Sequence, residues 1–156
     1  MKESLKIQIR TMKDFFDNST AVLTEDDSNY APQPEMLTVA QHVAHTAHTI
    51  EWFLDGAFSE SGFDLNWDEH MEEIKKIHSL QDARQWMERA VDRVMDSLDD
   101  KTESEWLAKI ADGPIMGKVP RFAIFNAMTD HTAHHRGALT VYARLVNKTP
   151  AMPYGG

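Results

Sequence analysis

The chain has 156 residues, enough for a hydrophobic core, and 42% of them are hydrophobic while 26% are charged. A formal net charge of −9 argues against a nucleic-acid partner, because phosphate contacts require clustered Lys and Arg side chains. The absence of cysteine excludes disulfides, a thiolate nucleophile and cysteine-ligated zinc.

Two amphipathic helices are predicted in the first third of the chain. The first covers residues 4–18, where the apolar side chains recur at helical spacing. These side chains are Leu5, Ile9, Met12 and Phe16. Residues 19–36 are rich in Asp, Asn and Pro and predict a loop. The second helix begins after Thr38, which forms a capping box with Gln41, and it runs to about Phe58. An irregular link follows over residues 56–68.

The remaining sequence predicts two more long helices. Ser79 is the expected N-cap of the third helix. Its apolar stripe consists of Leu80, Ala83, Met87, Ala90, Val94 and Leu98. A short helix over residues 102–110 and a turn near Gly113 and Gly117 precede the last helix, which begins near Pro120 and ends near Asn147. Because no strand-like alternation is present, we expect one domain over residues 1–156, a helical bundle with two long crossing connections.

Two histidines lie in the middle of the apolar face of the last helix. At 100° per residue, one stripe holds Ile124, Met128, His131, His135, Ala138, Tyr142 and Leu145. Burying His131 and His135 side by side is costly unless each ring has a partner, and a shared metal ion is a common reason for such a pair. The alternative is a pair of core histidines satisfied by backbone carbonyls or by each other.

A third ligand should come from the second helix, which carries His42, His45 and His48. His42 lies roughly 60° from His45 toward the apolar face, and His48 lies roughly 60° from it toward the polar face. The spacing therefore leaves both His42 and His45 open and disfavours His48. Trp52 and Tyr142 lie near the proposed histidine site and are either core residues or pocket contacts. His70 and His78 fall in a polar link and are expected at the surface.

Two segments resemble the DinB/YfiT-like family: TVAQHVAHTA over residues 38–47 and HTAHHRG over residues 131–137. The tail PAMPY over residues 150–154 is also similar, so the resemblance covers nearly the whole chain. It implies an antiparallel four-helix bundle, commonly dimeric, that binds nickel or zinc through one histidine of the second helix and two of the last. At the matching positions these ligands are His45, His131 and His135. His42 is left as a residue beside the ligands or in the pocket.

Three histidine ligands leave at least one coordination position open, which is typical of a catalytic metal site. Water bound there would have a lowered pKa, and a bound thiol would be deprotonated. Thr132 stands where a zincin has its catalytic Glu, so that type of peptidase is disfavoured. Some members of the family are thiol-dependent transferases or isomerases.

We therefore expect a metal-dependent, thiol-using S-transferase or a related small-molecule transferase or hydrolase. The alternatives are a non-catalytic bundle that binds metal and a small ligand, and a metal that serves only as a structural staple. Nickel and zinc are the first candidates for the ion, and iron is a third. The expected partners are a small-molecule substrate, a low-molecular-weight thiol and a second copy of the chain. The negative net charge gives no reason to expect a nucleic-acid partner. Because no long apolar run and no signal-peptide core are present, we expect no membrane association and a cytoplasmic location.

Overall fold

The structure, a computed structural model, describes residues 1–155. Six α-helices lie within this part of the chain. They are α1 (Lys2–Thr20), α2 (Val39–Phe58), α3 (Trp67–Lys75), α4 (Leu80–Asp100), α5 (Glu103–Leu107) and α6 (Ile124–Leu145). Two short 3-10 turns, Glu25–Asp27 and Arg121–Ala123, stand in the loops, and the described residues contain no β-structure beyond one isolated bridge between Lys109 and Pro120. No helix in residues 1–155 has the length and apolar content that crossing a bilayer requires.

The four long helices, α1, α2, α4 and α6, form the bundle. α1 and α4 are antiparallel, since Lys13 pairs with Glu88 at 2.7 Å and Lys6, a little under two turns earlier, pairs with Asp99. α2 and α6 are also antiparallel, and their ends are joined where Arg121 Nε donates to the Ala57 carbonyl at 2.9 Å. The predicted fold class, an all-α antiparallel four-helix bundle with long crossing connections, is confirmed. Within this bundle α2 and α4 lie side by side in the same direction, since Trp86 donates to Glu51 and, further along both helices, Arg93 pairs with Asp55.

The buried face of α6 differs in part from the predicted stripe. Ile124, Met128, His135 and Tyr142 are buried as predicted, and Phe125, Thr132, Leu139 and Ala143 are buried with them. Because α6 packs against both α1 and α2, its buried face is centred between the two contacts. Leu145, which was predicted on the stripe, is instead 54% exposed at the last residue of the helix.

The start of α2 agrees with the predicted capping box. Thr38 Oγ1 accepts from the Gln41 amide at 3.3 Å, and Gln41 Oε1 accepts from the Thr38 amide at 3.1 Å. The Gln41 side chain also donates to the Lys75 carbonyl at 3.2 Å, which ties the start of α2 to the end of α3. α3 itself was not predicted. It has nine residues, and Ile74 is the only buried one, so its apolar periodicity is too short to recognise.

Candidate metal centre

Three histidine side chains from α2 and α6 converge near the middle of the bundle. One ring nitrogen from each of His45, His131 and His135 lies within 4.8 Å of the other two. Nε2 of His131 and Nε2 of His135 are 3.1 Å apart. Two ligands of one ion, each about 2.1 Å from the metal, are separated by roughly 3.0–3.4 Å between right-angle and tetrahedral geometry. The two nitrogens on α6 therefore have the spacing that a shared ion requires.

The environment keeps all three rings neutral near pH 7. Burial, reinforced by neighbouring histidines, lowers the pKa of His45 and of His131 to about 4 and that of His135 to about 2. Neutral imidazole is the form that coordinates a metal. Nδ1 of His45 and Nδ1 of His131 are buried without a hydrogen-bond partner in residues 1–155. Buried polar atoms are normally paired, so the unpaired Nδ1 of His45 suits a bound divalent ion, whereas His131 faces His135 with its Nε2.

His42 lies behind His135 rather than in the group of three. Its Nδ1 is 3.0 Å from Nδ1 of His135, and its Nε2 is 3.1 Å from the Tyr142 hydroxyl oxygen. The Tyr142 hydroxyl donates to the Leu37 carbonyl at 3.1 Å. Burial lowers the pKa of His42 to about 4 and raises that of Tyr142. Both ring nitrogens of His42 thus contact His135 and Tyr142, and His42 stands outside the group formed by His45, His131 and His135.

An apolar cavity of about 270 Å³, here called the inner cavity, opens beside His45 and His131. Its other walls are Thr49, Trp52, Phe53, Trp67, Met71 and Ile74, together with His48 and His70. Trp52 therefore lines this cavity, whereas Tyr142 does not line it and is connected to the three histidines by its contact with His42. The helix α3, which was not predicted from the sequence, supplies the outer wall of this cavity.

His48 and His70 form a second histidine pair at the mouth of the inner cavity. Their ring centroids are 4.8 Å apart, and both side chains also line a larger outer cavity of about 630 Å³. Burial lowers the pKa of His48. The prediction that His70 is a solvated surface residue was wrong, because α3 brings its ring over α2, where it is half-buried. His78 is exposed as predicted.

The model of the DinB family matches residues 9–156 of this chain. The chain also resembles the crystal structure of a mycothiol-dependent maleylpyruvate isomerase, with a TM-score of 0.71 and 13% identity over 89% of this chain and 60% of that one. It therefore spans 60% of the isomerase's length. A protein of Clostridium difficile 630 matches with a TM-score of 0.70 and 14% identity, over 93% of this chain and 96% of that one. A protein of Streptococcus pneumoniae matches with a TM-score of 0.69 and 15% identity, over 93% and 91% respectively. The search of curated proteins gives no match.

Proposed function

This chain belongs to the DinB family, and we propose that it is a metal-dependent enzyme that joins a low-molecular-weight thiol to a small apolar electrophile. The proposal is carried by one observation: three neutral histidines converge, and two of them, His45 and His131, line an apolar cavity. Its thiol component is supported by the isomerase of similar fold, which is mycothiol-dependent.

We propose His45, His131 and His135 as the ligands of a divalent ion. Imidazole donors suit nickel, zinc and iron, and three of them leave room for an exchangeable ligand on the cavity side. When bound, such an ion would strongly lower the pKa of a coordinated thiol or water. The protein's own contribution is to hold the three rings neutral and to keep bulk water out of the apolar cavity.

The two cavities suggest how the substrates are divided. The inner cavity has mostly aromatic and aliphatic walls and takes an apolar group of modest size. The outer cavity presents Glu51, Asp55, Asp64 and Glu73, which can bind hydroxyl or amine groups on the rest of the thiol. Trp52 lines both cavities and separates the two regions. The thiol sulfur would enter between them.

His48 is the proposed proton acceptor for the thiol. It lines both cavities, and burial lowers its pKa, so the ring is neutral and able to accept a proton near pH 7. In the transfer step a carbon–sulfur bond forms, the thiol proton moves to His48, and the leaving group departs with its electron pair. In an addition to a carbon–carbon double bond, the protonated His48 would instead return the proton to carbon.

The test combines metal loading with a thiol-consumption assay. Metal-free protein is titrated with Ni²⁺, Zn²⁺ or Fe²⁺ and then assayed against a panel of low-molecular-weight thiols and apolar electrophiles. We expect one ion per chain and thiol consumption only in the loaded protein. His48→Gln should load normally and react at least about tenfold more slowly, while His78→Gln, at an exposed position, should match the wild type. Failure to bind any ion would overturn the metal site, and binding without turnover would favour a non-catalytic binding protein.

A further inference from the structure

We infer that Leu37, Tyr142 and His42 form a hydrogen-bond chain that fixes the tautomer of His135 and aims its Nε2 lone pair at the ion. Within this chain His42 and Tyr142 are positioning residues. The inference rests on the proposed metal site and deepens it, because it specifies how the protein prepares one ligand for coordination.

The direction of the chain follows from its anchor at the Leu37 carbonyl, which can only accept a hydrogen bond. The Tyr142 hydroxyl has one proton and gives it to that carbonyl at 3.1 Å. The Tyr142 oxygen must then accept from His42 at 3.1 Å, so the proton of His42 is on Nε2.

The same reasoning extends from His42 to His135. With its proton on Nε2, the neutral His42 ring has only a lone pair on Nδ1. The 3.0 Å contact between the two Nδ1 atoms is therefore a bond donated by His135. A neutral His135 ring with its proton on Nδ1 has a free lone pair on Nε2, the atom that lies 3.1 Å from Nε2 of His131.

The opposite polarity satisfies one contact fewer. If Tyr142 donated to His42, no proton would lie between the Tyr142 and Leu37 oxygens, which are 3.1 Å apart. His42 would then donate to His135, and the remaining proton of His135 would sit on Nε2, where it would block coordination. A partly buried carbonyl that faces an oxygen lone pair, with no proton between them, is unfavourable. The backbone of Leu37 therefore selects the tautomer that can bind metal.

His131 stands at the other end of the chain and behaves differently. Without an ion, its Nε2 proton is the one that bridges the 3.1 Å gap to the His135 lone pair. Coordination through that nitrogen requires the proton to leave Nε2, and the buried Nδ1 of His131 can receive it. Metal loading should thus change the tautomer of His131 and leave those of His42 and His135 unchanged.

Imidazole ¹⁵N chemical shifts test this directly, because they distinguish the two neutral tautomers of each ring. In metal-free wild-type protein at pH 7 we expect the proton on Nε2 of His42, on Nδ1 of His135 and on Nε2 of His131. After Zn²⁺ is added, only the His131 assignment should change. An Nε2 proton on His135 in the metal-free protein would overturn the inference whether or not the protein binds zinc.

Tyr142→Phe tests the anchor, because it removes only the hydroxyl group. We expect a mixture of His135 tautomers and a Zn²⁺ affinity about 10-fold weaker, at the lower end of the usual effect of residues behind a ligand. His42→Leu should weaken it about 10–100-fold, and His42→Asn, which keeps an acceptor oxygen, should recover part of the loss. The matched control is Tyr30→Phe, whose ring packs edge-on against Tyr142 with centroids 6.0 Å apart.

The outcomes separate this inference from the proposed metal site. If wild-type protein binds no zinc, the metal site fails, whereas the tautomer assignments still decide the polarity of the chain. If wild type and Tyr142→Phe bind zinc equally and share the same tautomers, the hydrogen-bond chain has no positioning role. A Tyr30→Phe variant that loses as much affinity as Tyr142→Phe would likewise refute the role of the hydroxyl.

Discussion

Acidifying the metal-free protein from pH 7 to pH 5 should remove several kcal/mol of folding free energy. The cause is a group of four histidines: His42 and His135, which are buried, and His45 and His131, which are half-buried. Their pKa values fall from 6.5 to about 4, and to about 2 for His135. Each ring stays neutral in the folded chain and becomes protonated in the unfolded chain. A lowered histidine pKa therefore leaves stability intact above pH 6.5 and reduces it as the pH falls toward the folded-state value.

The magnitude follows from the pH interval. Between the unfolded-state pKa of 6.5 and pH 5, a ring that remains neutral in the fold loses about 2 kcal/mol, at about 1.4 kcal/mol per pH unit. His42 and His135 should show this loss most clearly, because these residues are only 8% and 7% exposed. Two to four such losses are comparable with the roughly 5–15 kcal/mol that stabilises a typical domain. Carboxylates contribute mostly below pH 5, since their ordinary pKa values lie near 4.

Urea unfolding followed by circular dichroism at pH 7, 6 and 5 measures this loss. His135→Asn should make the pH dependence shallower by about 2 kcal/mol, whereas His78→Gln, which removes an exposed ring, should leave it unchanged. Zinc-loaded wild type should resist acid to a lower pH, because a bound ion competes with protons for the ligands. Equal unfolding free energies at pH 7 and pH 5 would refute the assignment of buried neutral rings.

Three further predictions concern metal content, the outer cavity and assembly. Alanine at His45, His131 or His135 should leave purified protein largely metal-free with its helicity intact. His42→Ala should keep a weakened metal site, and His48→Ala should retain nearly all its metal. Helicity that is lost together with the metal would favour a purely structural role for the ion. Gly56→Ala should lower stability by about 1–3 kcal/mol in thermal or urea unfolding without changing metal content, because the added Cβ would lie 2.2 Å from Cδ1 of Phe63. We expect a homodimer by sedimentation equilibrium, on the strength of the family resemblance, and a monomer at high concentration would contradict it.

Helices whose ends are marked by local side-chain chemistry could be predicted from the sequence. The capping box of Thr38 and Gln41 and the Ser79 cap act within one turn, so their signals survive without knowledge of the fold. The start of α3 carries a similar pattern, Asn66 followed three residues later by Glu69, but the nine residues after it are too few to show a helical apolar stripe. Its N-cap residue, Asn66, makes no side-chain bond to the helix backbone and instead donates to Glu69 at 2.7 Å.

Missing α3 had consequences for the site as well as for the fold. The helix carries His70 and forms one wall of the inner cavity. Because the sequence predicted an irregular link here instead of a helix, it placed neither His70 nor a cavity wall near the histidines of α2. The half-buried position of His70 depends on how α3 crosses α2, which is a tertiary relationship. Residues whose burial comes from such a crossing cannot be found from the periodicity of one segment.

The ambiguity between His42 and His45 has a geometric origin that a helical wheel does not contain. The two residues are about 60° apart on α2, and both face α6. What separates them is height along the bundle: α2 and α6 are antiparallel, so a step toward the end of α2 is a step toward the start of α6. His45 therefore meets His131 and His135, with ring centroids 5.0 and 4.7 Å away, whereas His42 meets His135 and Tyr142. His135 contacts both residues of α2: its Nε2 faces the proposed ion, and its Nδ1 faces the hydrogen-bond chain to Leu37.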